Sequence, residues 1–242
     1  MKSFLERSSD ADLDQLVREL ASRLHGNRRK SLRLRAWRLT VAWSYGAKRA
    51  MDIVFSVLGM VILSPLFAAI AVGVRLSGPG PVIFRQTRVG RFGRHFTFYK
   101  FRSMQADAED LKRSLLDRNE SSDGVIFKMK DDPRVTAFGH FLRRTSLDEL
   151  PQLWNVLLGD MSLVGPRPPL PSEVREYTLE DRKRLDVIPG ITCLWQIEGR
   201  SEIPFEEQVR LDKQYILEPG VWKDFVILLK TIPAIIGGKG AY

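Results

Sequence analysis

The sequence predicts an α+β, mostly helical fold: a membrane helix–break–helix, a small β-hairpin and amphipathic helices that lie on a surface. Three observations carry that prediction. Ile53 to Val74 is an uncharged apolar run interrupted by Ser64-Pro65. Val82 to Arg88 and Arg94 to Arg102 alternate well enough to be strands, joined by Val89-Gly90-Arg91-Phe92-Gly93 as a hairpin loop. Elsewhere, apolar residues recur at helical spacing.

At 242 residues the chain is long enough to bury a core, as one domain with appendages or as two small ones. Its 38 Lys and Arg against 29 Asp and Glu leave a net charge of +9, which points to an anionic partner: nucleic acid, acidic lipid or a phosphorylated substrate. Cys193 is the only cysteine, so an intramolecular disulfide is excluded. His25, His95 and His140 are too scattered for a zinc site or a paired general base, which makes histidine and thiol chemistry poor candidates. No cleavable signal peptide is expected, because the first apolar run comes late and follows charged sequence.

Taken in order, residues 1 to 20 read as a short amphipathic helix with Leu13, Leu16, Val17 and Leu20 on one side. Between Glu19 and Asp52 no acidic residue occurs, while arginines and lysines alternate with Trp37, Trp43, Tyr45 and several leucines. Residues 1–47 are therefore a basic arm that suits an anionic membrane surface or RNA. The apolar run that follows favours the membrane. As a straight helix its 22 residues extend about 33 Å, enough for a hydrocarbon core of about 30 Å. Pro65 interrupts it, depriving the Val61 carbonyl of its partner, with the Ser64 hydroxyl at hand to satisfy the freed backbone. Cationic residues flank both ends, Lys48 and Arg49 before and Arg75, Arg85 and Arg88 after, which fits a re-entrant hairpin; a kinked span fits the length equally.

Ser77-Gly78-Pro79-Gly80-Pro81 ends this element. Phe96, Phe98, Tyr99 and Phe101 suit packing better than RNA stacking, since the order of glycines and aromatics does not match an RNA-binding strand. Residues 104 to 124 read as a charged helix and a surface loop, Ser172 to Leu185 as a solvated helix, and Phe205 to Leu217 as a helix. Trp222 to Ile236 is apolar enough to lie on a membrane interface and too short to cross one.

The chemistry concentrates between Arg143 and Pro168. Leu147, Leu150, Leu153, Trp154, Leu157 and Leu158 give a helix with one buried face, and Asp148 as its N-cap places Pro151 in the first turn. Asp148 and Glu149 then stand at the positive end of a helix between Arg143 and Arg167, and Gly165-Pro166-Arg167-Pro168 fixes the backbone around one always-charged planar fork. A carboxylate so placed is expected to stay ionised, able to attack phosphorus or to hold a magnesium ion. Arg200, in the turn Glu198-Gly199-Arg200, is a further candidate for a phosphate.

These residues resemble the bacterial sugar transferases, the monotopic phosphoglycosyl transferases that begin glycan assembly on polyprenyl phosphate. The resemblance rests on Lys48-Arg49 with Asp52, Ser64-Pro65, Tyr99-Lys100-Phe101-Arg102-Ser103-Met104, Ser146-Leu147-Asp148-Glu149-Leu150-Pro151-Gln152, Gly159-Asp160-Met161-Ser162, Val164-Gly165-Pro166-Arg167-Pro168 and Pro189-Gly190-Ile191-Thr192. It runs from about residue 48 to the C-terminus.

The resemblance implies that Asp148 attacks the β-phosphorus of a UDP-sugar, expelling UMP, and that polyprenyl (undecaprenyl) phosphate displaces the sugar phosphate from the aspartate. It implies Glu149 as the Mg²⁺ ligand, alongside Asp148, or as acid-base partner. Arg143, Arg167, Arg102 and Arg200 are the expected phosphate-binding residues. It further implies a re-entrant membrane helix over 48–76 with its break at Ser64 and Pro65, and a catalytic domain over 77–242 on the cytoplasmic face of the bacterial inner membrane. Membrane lipids are expected partners and nucleic acid is not; a homodimer is left open.

Two positions depart from the family pattern. Cys193 stands where glycine is usual, and Glu198 precedes Gly-Arg in place of a small or amide residue. Larger members carry spanning helices and an extra domain where this sequence has the basic arm. The residues also admit two other classes, a glycosyl transferase that releases UDP and a non-enzymatic membrane adaptor. Which sugar is carried is not encoded in any local pattern.

Overall fold

The computed structural model describes residues 28–115, 119–120, 129 and 131–237. The helix expected over residues 1 to 20, and most of the loop expected near residue 120, lie outside the described residues. The chain divides into two units, Met1–Ala47 and Lys48–Tyr242. In the first, the described residues are helical, and Trp43 and Tyr45 are exposed.

Helix α1 (Arg28–Ile62) ends at Leu63, and α2 (Ser64–Leu76) leaves at 64° to it. The cause is local. Pro65 has no N–H for the Val61 carbonyl, and the Ser64 hydroxyl donates to that carbonyl instead at 2.8 Å. On either side the helical ladder continues, Leu63 N–H to Gly59 and Phe67 N–H to Leu63. No single helix among the described residues is long and apolar enough to cross a membrane. Val54, Phe55, Leu58, Val61 and Ile62 of α1 are exposed.

Strands β1 (Ile83–Val89) and β2 (His95–Phe101) pair antiparallel from Ile83 opposite Phe101 to Val89 opposite His95, within a residue of the expected hairpin. Phe98 and Phe101 are buried, so these aromatics pack. Beyond α3 (Ala108–Ser114) come α4 (Ala137–Arg144), a 3-10 turn at Leu147–Glu149, α5 (Gln152–Leu158), β3 (Ser162–Val164), α6 (Pro171–Glu176), β4 (Gly190–Thr192), α7 (Leu194–Glu198), α8 (Phe205–Leu217) and α9 (Val221–Gly237). Strand β3 pairs parallel with β4, Ser162 opposite Gly190 and Val164 opposite Thr192. A Cβ on Gly190 would land on the Gly165 backbone, so that close crossing requires glycine.

Two packed clusters tie the bent helices to the rest of the second unit. Phe98, Leu153, Val156, Met161 and Ile227 form one, against which Met60 and Phe67 pack. Ile70, Val74, Phe101 and Leu142 form the other, with Leu66, Phe67, Leu147 and Leu150 beside it. Polar anchors complete the attachment. Lys48 donates to the Val164 carbonyl and Asp224, Arg49 to the Val156 and Leu157 carbonyls at the end of α5, and Asp52 accepts from Ser162 and the Leu163 N–H.

Two expectations are corrected. Ser172 to Leu185 is not one solvated helix but α6 followed by a 3-10 segment, Asp181–Asp186, between which Tyr177 turns inward. Arg184 is buried against Asp212 at 2.7 Å and donates to the Tyr177 hydroxyl, and this partnered charge sets the bend. Asp148 is not an N-cap either. It lies inside the 3-10 turn, and α5 begins after Pro151 with no side-chain cap.

Candidate active site

Asp148 is placed by three consecutive changes of direction. Helix α4 starts at Thr136, whose hydroxyl accepts from the Gly139 N–H, and ends with Arg143 and Arg144 in its last turn, where cations suit the negative end of the dipole. Ser146 follows in the left-handed region at φ 53°, a costly conformation for a residue with a Cβ. The 3-10 turn then presents Asp148 and Glu149 together. Helix α5 is held behind them by Asn155, which donates to the Thr97 carbonyl at 2.7 Å and accepts from the Tyr99 N–H at 3.1 Å. The carboxylates are thereby locked onto the hairpin.

The same hairpin supplies one wall of a cavity of about 570 Å³, within the usual range for small-molecule sites. Side chains alternate along a strand, and Phe84, Gln86 and Arg88 of β1 with Lys100 of β2 all face it. Arg143 and Ser103, Asp148 and Glu149, Arg167 and Arg200 line it from the other elements.

Within it, Arg167 donates to Glu149 at 2.9 Å, Arg143 to the Ser103 hydroxyl at 3.0 Å, and Arg200 to the Ser146 hydroxyl at 3.3 Å. One guanidinium nitrogen of Arg200 is buried without a hydrogen-bond partner. Arg200 also sits at φ 53°, a second strained residue beside the cavity, where such strain tends to collect.

Burial, followed by repulsion from Glu149, raises the pKa of Asp148, while Lys100, Arg143 and Arg167 pull it down. The sequence expectation counted Arg143, Arg167 and a helix end but not desolvation, which outweighs the cations here. Lys100 is lowered to about 8 by burial and by Arg143, and its ammonium lies 5.3 Å from the Phe84 ring centroid. Arg88, over the Phe98 ring, is lowered to about 10 by burial. Arg167 moves the other way, held up by Glu149. The result is a neutralised pair of carboxylates surrounded by cations with capacity left for an anion.

The structure brings together Asp148, Glu149, Arg143, Arg167 and Arg200 around one cavity. Arg102 borders it but is spent elsewhere, against expectation. Its guanidinium donates to the carbonyls of Val74, Gly78 and Pro79, the groups left open where α2 ends. It closes the C-terminal end of α2 rather than offering donors to a phosphate. Lys100 and Arg88 are the cations that sequence reasoning passed over. Period-two alternation across the hairpin contained the signal, since both share a face with Phe84 and Gln86.

Magnesium commonly takes one or two protein carboxylates and completes its shell with water and substrate phosphate oxygens. Asp148 and Glu149 fit that mode. No group of three or more metal-binding side chains occurs among the described residues, so a cage made wholly of protein is not offered there.

Comparison with known proteins follows the same residues. Residues 43–238 match the family model described as bacterial sugar transferase. A galactosyl transferase CpsE of Streptococcus agalactiae is 50% identical over 196 residues, covering 81% of this chain and 43% of the relative. An undecaprenyl-phosphate galactose phosphotransferase of Salmonella typhimurium is 43% identical, covering 81% of this chain and 41% of the relative. The exopolysaccharide production protein ExoY of Sinorhizobium fredii is 37% identical, covering 81% of this chain and 88% of the relative. The chain thus spans about two fifths of the length of the first two relatives and most of the third.

Proposed function

The chain belongs to the bacterial sugar transferase family, and on that premise we propose that it transfers a sugar 1-phosphate from a UDP-sugar to a polyprenyl phosphate, releasing UMP. The observation that carries this reading is the buried Asp148, beside Glu149 and facing Lys100, Arg143 and Arg167 across one cavity. Phosphoryl transfer is mostly positioning and charge neutralisation, and this arrangement supplies both.

In the proposed first step a carboxylate oxygen of Asp148 bonds to the β-phosphorus, and the bond from that phosphorus to the bridging oxygen breaks. UMP leaves with the electron pair. Lys100 and Arg143 hold the transferred phosphoryl group, and Arg167, itself oriented by Glu149, meets the charge growing on the departing phosphate. In the second step an oxygen of polyprenyl phosphate bonds to the same phosphorus and Asp148 departs as carboxylate, leaving polyprenyl-diphospho-sugar. Magnesium bound by Glu149 and Asp148 would neutralise part of the diphosphate charge.

The bent pair α1 and α2 supports a re-entrant element entering one leaflet. The catalytic unit is proposed on the cytoplasmic face because a nucleotide sugar is dissolved there. A lipid phosphate and a dissolved nucleotide sugar then reach the same cavity. Relatives named for galactose transfer and relatives named for glucose 1-phosphate transfer are both similar to this chain, so the donor is proposed as a UDP-hexose.

The test is a panel of UDP-sugars with undecaprenyl phosphate, assayed for the nucleotide released. UMP is expected. UDP as the product would identify ordinary glycosyl transfer, and full turnover in Asp148→Asn would remove the covalent step.

A further inference from the structure

The cavity is lined by apolar side chains as well as by cations. Leu150 and Leu153 of the segment following the carboxylates, Ile191 of β4, and Ala234 and Ile235 of α9 all contribute to it. None of these can bind a sugar or a phosphate by hydrogen bonds from its side chain.

Position gives the apolar wall a meaning. Leu153 also faces the bent helices, and a Cβ built on Gly59 would sit only 3.2 Å from its Cδ1. Met60 and Phe67, on either side of the Ser64-Pro65 break, pack against the same cluster. Leu150 packs against the second cluster, as do Leu66 and Phe67. The apolar wall is therefore continuous with the helix break, whose outer face exposes Val61 and Ile62. Helix α9 is amphipathic in the matching sense: Asp224 and Ile227 are buried, while Trp222, Leu229 and Ile232 are exposed. Its Thr231 is tied to Thr192 of β4 at 2.8 Å, which fixes the end of α9 that carries Ala234 and Ile235 over the cavity.

We propose that the wall formed by Leu150, Leu153, Ile191, Ala234 and Ile235 binds the first isoprene units of the polyprenyl phosphate, with the C-terminal helix α9 as one side of the lipid's path from the break at Ser64-Pro65 to Asp148. The inference rests on the reaction proposed above. The occupant is identified by complementarity: an amphiphile with one phosphate and a methyl-branched isoprenoid chain matches a cavity lined by both cations and apolar side chains. Burying those methyl groups against leucine and isoleucine supplies affinity that the phosphate alone does not.

The experiment separates the two substrates. A reaction through a covalent enzyme intermediate has a kcat/KM for each substrate that reports only its own half. In Ile235→Asn and Ala234→Asp, kcat/KM for undecaprenyl phosphate is expected to fall about tenfold or more while kcat/KM for the UDP-sugar holds. In parallel, a polyprenyl phosphate carrying a diazirine on its first or second isoprene unit is photolysed with the unmodified protein in detergent, and the labelled peptides are identified by mass spectrometry. Labels in 231–235 or 150–153 are expected.

Labels confined to the outer faces of α1 and α2, or variants that impair the sugar donor rather than the lipid, overturn the proposal. Should a variant lose both activities by misfolding, the cross-linking of the unmodified protein decides. If no UDP-sugar yields UMP while the diazirine still labels α9, the reaction fails and the lipid site stands.

Discussion

Asp148 is under two opposing pressures, desolvation that favours its neutral acid and three cations that favour its anion. Because the folded-state pKa lies above the unfolded value, the unfolded chain ionises first as pH rises. The ionised side chain therefore costs stability at neutral pH, and that cost disappears once both states are protonated below the ordinary carboxylate range. Asp148→Asn removes the cost: its melting temperature is expected to exceed the parent's at pH 7 and to converge on it at about pH 3, below the unfolded carboxylate's range, while turnover falls by at least about a thousandfold. Equal melting temperatures at pH 7, read by scanning calorimetry, would contradict the desolvation account. Lys100 sets the opposite limb. Its ammonium loses its proton at about 8, so kcat/KM for the donor should fall above that pH, approaching tenfold per unit. In Lys100→Arg the guanidinium stays charged, and the alkaline limb should vanish from the pH profile even if the absolute rate is lower.

At the level of elements, the hairpin, the broken helix and α8 were legible because each follows from local rules: alternation, a proline without its N–H, and a 3.6-residue period. The Ser64 hydroxyl on the Val61 carbonyl is the clearest case, since residues three apart suffice to predict it. Strands β3 and β4 were not legible. Each is three residues long, and their pairing joins residues 162 and 190, which no local pattern connects. Arg184 was equally hidden, for its partner Asp212 lies on another helix. The anchor between α1 and α9 belongs to this long-range class and makes a quantitative prediction. Asp224 is 1% exposed and bound by Lys48 at 2.5 Å, with the Tyr215 hydroxyl at 2.8 Å. Lys48→Met strands that carboxylate and should cost about 3 kcal/mol, whereas Lys48→Met with Asp224→Leu should recover part of the loss, as thermal denaturation in detergent would show. The bend makes a second prediction. Maleimide should reach Tyr45→Cys and Arg94→Cys from the same side of a sealed vesicle, with Cys193 silent because it is buried; labelling from opposite sides would make the pair a span.

For the molecule as a whole, the sequence located the site but not its composition. Asp148, Glu149, Arg143 and Arg167 cluster within one stretch of chain, so proximity in sequence brought them close in space. Lys100 and Arg88 come from the hairpin, and α9 reaches the cavity from more than eighty residues beyond Asp148, contributions visible only once the chain is folded. The same distinction applies to the membrane attachment proposed above. The net charge of +9 favours an anionic surface, but that attraction is screened within about 3 Å at 1 M salt. Burial of Val54, Phe55, Leu58, Val61 and Ile62, and of Trp222, Leu229 and Ile232, is not screened by salt and at about 25 cal/mol per Å² is much the larger contribution. Protein reconstituted into vesicles with anionic lipid should therefore float with them through a sucrose gradient after a 1 M salt wash, and be released only by detergent. Release by salt alone would mean that charge, and not the apolar face around the break, holds the chain to the bilayer.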